Sequence, residues 1–88
     1  MAYSFEQLQN LVLDSNNAKL IYDFARLIKG ADKKRCEKAI VTTTPLDPHY
    51  IYCFFRYIKG SDKKLGKKAV ESTKNSFYIG MYSRDVLK

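Results

Sequence analysis

Residues 24–34 read "FARLIKGADKK", and residues 54–64 read "FFRYIKGSDKK". Laid together without a gap, residues 20–43 and 50–73 agree at thirteen of twenty-four positions. Ile21 meets Ile51, Tyr22 meets Tyr52, Phe24 meets Phe54, Arg26 meets Arg56, and Lys29-Gly30 meets Lys59-Gly60. A period of about 30 residues is the length of a helical pair in stacked repeat proteins, in which each unit buries its apolar face only against its neighbours. The repetition therefore predicts an all-α array.

The pattern continues in both directions. "YIGMYSRDV" (Tyr78 to Val86) lies over "YIYCFFRYI" (Tyr50 to Ile58) at a spacing of 28, and "QLQNLV" (Gln7 to Val12) follows the apolar spacing of "RCEKAI" (Arg35 to Ile40). Six short helices of two alternating kinds follow: three aromatic ones and three shorter, basic ones, stacked as three helical pairs in a single domain spanning residues 1–88. One domain is also what the length allows, because a chain of 88 residues buries only roughly 60–65% of the surface its unfolded form exposes and cannot divide it between two cores. The apolar content, 45% with seven Tyr and five Phe, is enough to offset the entropy of ordering the chain.

Cap residues mark the boundaries independently of the repeat. Asn17, Asp47 and Asn75 precede the three aromatic helices, where a side-chain oxygen can accept from backbone N–H groups that have no helical partner. Pro48 follows Asp47 at the first helical position, which needs no donor. Gly30 and Gly60 suit the left-handed conformation that ends a helix, and Asp32 and Asp62 begin the next after a turn of two or three residues. Ser4 and Gln7 have the S-x-x-Q spacing of a capping box. Apolar spacing puts Ile21, Phe24 and Ile28, flanked by Leu20 and Leu27, on one buried stripe, repeated as Ile51, Phe54, Phe55 and Ile58. The basic helices offer a thinner stripe of Ala39, Ile40, Leu65, Ala69 and Val70.

The phrase "DPHYIYCFFRYIKGSDKK" resembles a tandem-repeat unit of Firmicutes and phage proteins, in which a DPxYIYxFARxVKGAD-like segment alternates with a KLExAII-like one. The resemblance extends from about residue 5 to residue 88. It implies stacked helical pairs and a bacterial or phage source, and it attaches no chemistry to particular residues; a non-enzymatic binding module of phage or mobile-element origin is the expectation. The copy departs from that wording at Phe55, where a small residue is usual, at Gly80, where Tyr is usual, and at Asn17-Ala18, which lacks the proline. Phe55 marks either a local repacking or an exposed anchor. Together with the small size, the resemblance implies a stoichiometric inhibitor of a bacterial defence effector, of the anti-CRISPR kind.

No residue set for catalysis, cofactor or metal emerges. His49 is the only histidine, and Cys36 and Cys53, seventeen residues apart, suit neither a disulfide scaffold nor a four-ligand metal site. No leader-like or membrane-length apolar run is present, so a cytoplasmic location in a bacterial host is expected.

Two constellations remain. The first is a row of Tyr22, Arg26 and Lys29, repeated as Tyr52, Arg56 and Lys59 and continued by Arg84, at helical spacing beside the core stripe. It either binds a larger protein or ribonucleoprotein partner, or braces the stacking by bonding Asp32, Asp62 or helix-end carbonyls. The second is basic: Lys33, Lys34, Arg35 and Lys38 on one helix, and Lys63, Lys64, Lys67 and Lys68 on the next of its kind. Lysines in a first helical turn oppose the helix dipole, so local stability does not account for them. They either keep a solvated face or attract a polyanion, in line with the net charge of +7. Nucleic acid is the alternative partner, tempered by twelve Lys to four Arg, since paired-donor recognition of phosphate or guanine favours Arg. A homodimer through the last helix is a further expectation, with Met81 and Leu87 as its exposed apolar residues.

Overall fold

The computed structural model describes residues 3–87. Its six helices are α1 (Phe5–Leu13), α2 (Ala18–Leu27), α3 (Lys33–Ile40), α4 (Pro48–Tyr57), α5 (Lys63–Ser72) and α6 (Ser76–Asp85), with no strand among the described residues. Every anticipated N-cap is in place. Ser4 closes a reciprocal capping box with Gln7, and Asn17, Asp32, Asp47, Asp62 and Asn75 each accept from a backbone N–H in the first turn. Six such caps, at about 1 kcal/mol each, carry much of the local stability of helices too short to persist alone. Gly30 and Gly60 take φ of 87° and 79°, the left-handed turn that lets α2 and α4 stop and α3 and α5 start within a few residues.

The aromatic helices form one layer in the order α2, α4, α6, and each basic helix packs against the aromatic helix before it, α3 on α2 and α5 on α4. Helix α1 lies against α2 and α3. The result is a slab of 46 × 24 × 15 Å. Its centre is α4, whose Ile51, Phe54, Phe55 and Ile58 are all buried as the spacing anticipates.

The stripe expected on α2 is only partly buried. Ala18, Ile21, Tyr22 and Ala25 face the core, Phe24 is half-buried against Phe5, and Leu20, Leu27 and Ile28 are exposed. The reason is position in the stack: Phe54 and Ile58 of α4, which match Phe24 and Ile28, are covered, whereas α2 has only α1 on that side; the match to Leu27, Tyr57, is exposed as well. The exposure expected of Met81 and Leu87 at the α6 end is likewise corrected, because both are half-buried and pack against the core.

Phe55 is fully buried, which decides for repacking over an exposed anchor. Its partner is Gly66, where a Cβ would overlap the Phe55 ring and the Tyr82 hydroxyl. In the first pair the same two positions hold Ala25 and Cys36, both buried. The second pair has thus exchanged two small residues for one large residue and none, and close packing requires the exchange to be paired. Gly66→Ala is expected to destabilise the fold by about 1–3 kcal/mol despite its better helix propensity, and Phe55→Ala by about 3–5 kcal/mol. Phe55→Ala with Gly66→Cys, which restores the first pair's residues, should lose less than Phe55→Ala alone. Urea denaturation of the four proteins measures all three.

Candidate functional site

The tyrosines of the first constellation are core residues. Tyr22 and Tyr52 are buried in the seam between aromatic helices, with Tyr22 packed on Tyr50 at 6.1 Å between ring centroids and Tyr52 on Tyr78 at 6.2 Å. The expectation that they offer their rings to a partner is therefore corrected: each sits where its helix meets the next aromatic helix, so stacking consumes the ring.

The arginines lie along the exposed edge of that seam and are held by carboxylates. Arg26 lies over Tyr22, 5.3 Å from the ring centroid, with Asp23 3.6 Å away. Asp23 is also paired with Lys19 at 3.0 Å. Arg56 spans Tyr52 and Tyr57 at 5.7 and 5.1 Å, donates to the Tyr52 hydroxyl at 2.5 Å and lies 3.7 Å from Asp85. Arg84 donates to both Asp85 oxygens. The braces are thus Asp23 and Asp85, not the Asp32, Asp62 or helix-end carbonyls that the spacing suggested. Lys29 and Lys59 are exposed at the helix ends.

Asp85 is the hub of this network. It accepts from Arg84 and, at 2.6 Å, from the Tyr52 hydroxyl, and these bonds hold its carboxyl far below the usual carboxylate range. Burial, with the bond to Asp85, pushes the Tyr52 phenol up. No motif singles out Asp85, because apart from its neighbour Arg84 its partners, Arg56 and Tyr52, come from another helix 29 and 33 residues away.

A second seam cluster also escaped the spacing arguments. His49 is exposed in the first turn of α4, as expected, but its Nδ1 lies 3.0 Å from the Tyr78 hydroxyl on α6. Its ring meets Tyr50 and Tyr78 edge-on at 4.7 and 5.7 Å. Cys53, one turn on, has its Sγ 3.9 Å from Nε2. This is not an activated pair, since burial raises the Cys53 thiol, and Cys36, fully buried, is pushed up to about 11 by the same cause. Both cysteines are free, and among the described residues no group of three or more potential ligands converges on a metal position.

The basic constellation divides. Arg35 is taken up in structure, donating to Glu6 at 2.8 Å and Asn10 at 2.7 Å on α1. Lys34 bonds the Gly60 carbonyl and lies 3.7 Å from Glu37. Lys33, Lys38, Lys63, Lys64, Lys67 and Lys68 are exposed, and among the described residues none has a carboxylate within ion-pair distance. Neither α3 nor α5 carries an aromatic residue. This lysine face is the largest concentration of uncommitted charge on the molecule.

A cleft of about 600 Å³ lies between the loops that precede α2 and α4. Asn16 closes its floor by both donating to the Thr44 carbonyl and accepting from the Thr44 N–H, each at 2.8 Å. The titratable residues that line it are Lys19 and Asp47. Asp47 is committed to capping α4.

The fold and the site together define a small helical-repeat protein with one basic face. No family model, curated protein or solved structure matches the chain. No helix of the described residues is long and apolar enough to cross a membrane.

Asp85 gives this network a pH signature. A carboxyl depressed in the folded state contributes stability that is present above its unfolded pKa, about 3.9, and is lost as pH falls toward the folded value. Asp85→Asn should therefore lower the melting temperature at pH 7 and flatten its decline below about pH 4. Thermal melts between neutral and acid pH test this, and parallel acid limbs in the two proteins would contradict it.

Proposed function

We propose that the chain is a non-catalytic binding module that associates stoichiometrically with a larger protein, docking the lysine face of α3 and α5 on an acidic surface. The observation that carries this reading is the set of six exposed lysines without carboxylate partners, Lys33, Lys38, Lys63, Lys64, Lys67 and Lys68. Exposed ammonium groups of one sign raise the encounter rate with an acidic partner and fix its orientation. Lys33, Lys63 and Lys64 stand in the first turns of α3 and α5, where a cation works against the helix dipole, so their charge serves something outside the helix. The aromatic-helix row is a weaker candidate, since its tyrosines are buried and its arginines engaged.

The resemblance to phage and Firmicutes repeats supplies the class of partner. It supports a phage or mobile-element protein acting in the bacterial cytoplasm as an inhibitor of a defence effector such as a CRISPR-Cas complex. The second reading is binding to a nucleic-acid backbone, favoured by the same lysines and by the net charge of +7. Against it, base stacking needs exposed aromatic rings, and α3 and α5 have none.

Nuclease-treated bacterial lysate passed over the immobilised protein separates these readings. Under the protein-binding reading, a defined partner is retained at low salt, is kept by Arg26→Ala/Arg56→Ala, and is lost when Lys63, Lys64, Lys67 and Lys68 are changed to Glu. Retention by the charge-reversed variant would overturn the assignment of the face. Mobility shift of a DNA or RNA oligonucleotide that weakens steeply with salt would favour the second reading.

A further inference from the structure

The end of the slab formed by α1 and α2 is apolar, and the repeat shows how unusual that is. Leu8 lies at the position that Cys36 holds on α3, yet Leu8 is 45% exposed and Cys36 is 0%. Ile28 is 42% exposed, whereas its counterparts Ile58 and Val86 are 5% and 3%. Leu11, Leu20 and Leu27 are exposed beside them. In the second pair the positions of Leu8, Leu11, Leu20 and Ile28 are buried or half-buried, as Cys36, Ala39, Tyr50 and Ile58, and only that of Leu27 stays exposed, as Tyr57; α2 lies on α3 and on α4 there. Helix α1 has no aromatic helix before it among the described residues, and Phe5 against Phe24 is a partial substitute. The exposed leucines on the neighbouring helices α1 and α2 are thus a stacking face of the repeat left open, and exposed apolar surface of that kind marks an interface.

We propose that this face is covered by the same face of a second copy, giving a two-fold dimer. Two observations select that occupant. The opposite end of the slab cannot supply the missing helix: at the positions of Ala18, Tyr22 and Ala25 on α2, α6 carries Ser76, Gly80 and Ser83, all exposed, small and without apolar bulk. A head-to-tail continuation of the array would therefore set leucines against serines and omit the tyrosine seam. Charge points the same way. Through residue 28 the chain has two cations, Lys19 and Arg26, against three acids, Glu6, Asp14 and Asp23, while the remainder carries fourteen cations against six acids. The α1/α2 end can therefore meet its own copy without opposing two strongly basic surfaces. An isologous contact there buries both patches at once and leaves both lysine faces, the surface invoked above, pointing away from the seam.

Sedimentation of the full chain over about a hundredfold concentration range tests this. The expected result is a species of twice the 10.2 kDa chain mass. It should revert to monomer in Leu11→Glu/Leu27→Glu, with helical circular dichroism unchanged because both side chains are exposed in the monomer. A 10.2 kDa species at every concentration overturns the proposal, as does a dimer that survives the double substitution. A mass that climbs without a plateau and is arrested by Ser83→Arg overturns it in favour of head-to-tail stacking.

Discussion

A buried oxygen on each of the first two short helices accepts the backbone N–H that opens the next short helix. Gln9 of α1 accepts from the Asp32 N–H at 2.7 Å, and Glu37 of α3 accepts from the Asp62 N–H. Both side chains are buried, and both amides belong to the N-caps Asp32 and Asp62. A buried acceptor without a partner costs about 1–3 kcal/mol, so each bond rewards one axial placement of the pairs and penalises a slip. At the corresponding position α5 carries Lys67, which is exposed, and among the described residues no further short helix follows α5.

Once that spacing is set, the rest of the packing has little freedom. The aromatic helices are brought side by side, so Tyr22 stacks on Tyr50 and Tyr52 on Tyr78. Asp85 then comes within reach of Tyr52 and Arg56. Phe55 is aimed at α5, and only an absent side chain at Gly66 admits it. Tyr82 completes that contact, donating its hydroxyl to the Lys63 carbonyl at 2.5 Å, while burial pushes its phenol well above the usual range. Function inherits the same frame. Groups consumed by stacking are unavailable to partners, and what stays free is the lysine row on the outer helices.

The six helices, their caps and the two glycine turns were legible because each is encoded within a few residues: Ser4 with Gln7, Asp47 with Pro48, Lys29 with Gly30. The candidate site was legible only in part, because a side chain's availability depends on what the neighbouring pair covers. Tyr22 and Tyr52 have the spacing of an exposed row, and only the seam buries them. Asp85 and His49 gain their roles from Tyr52 and Tyr78, contacts across 29 or more residues that no local pattern signals. Gln9 and Glu37 look like ordinary polar helix residues, although their separation of 28 equals the repeat spacing and is the signal that could have found them. Phe55 and Gly66 carried a readable clue as well, since both depart from the first pair and one gains the volume the other gives up.

The interlock between pairs is the central claim, and the Asp62 amide reports on it alone. Native-state hydrogen exchange, read residue by residue for the protein and for Glu37→Leu, measures whether that N–H is held. Protection of the Asp62 amide comparable to the α4 interior in the parent chain, falling to that of a free N-cap in the variant, is the predicted result. Rapid exchange at Asp62 in the parent, or equal protection in both proteins, would contradict the account.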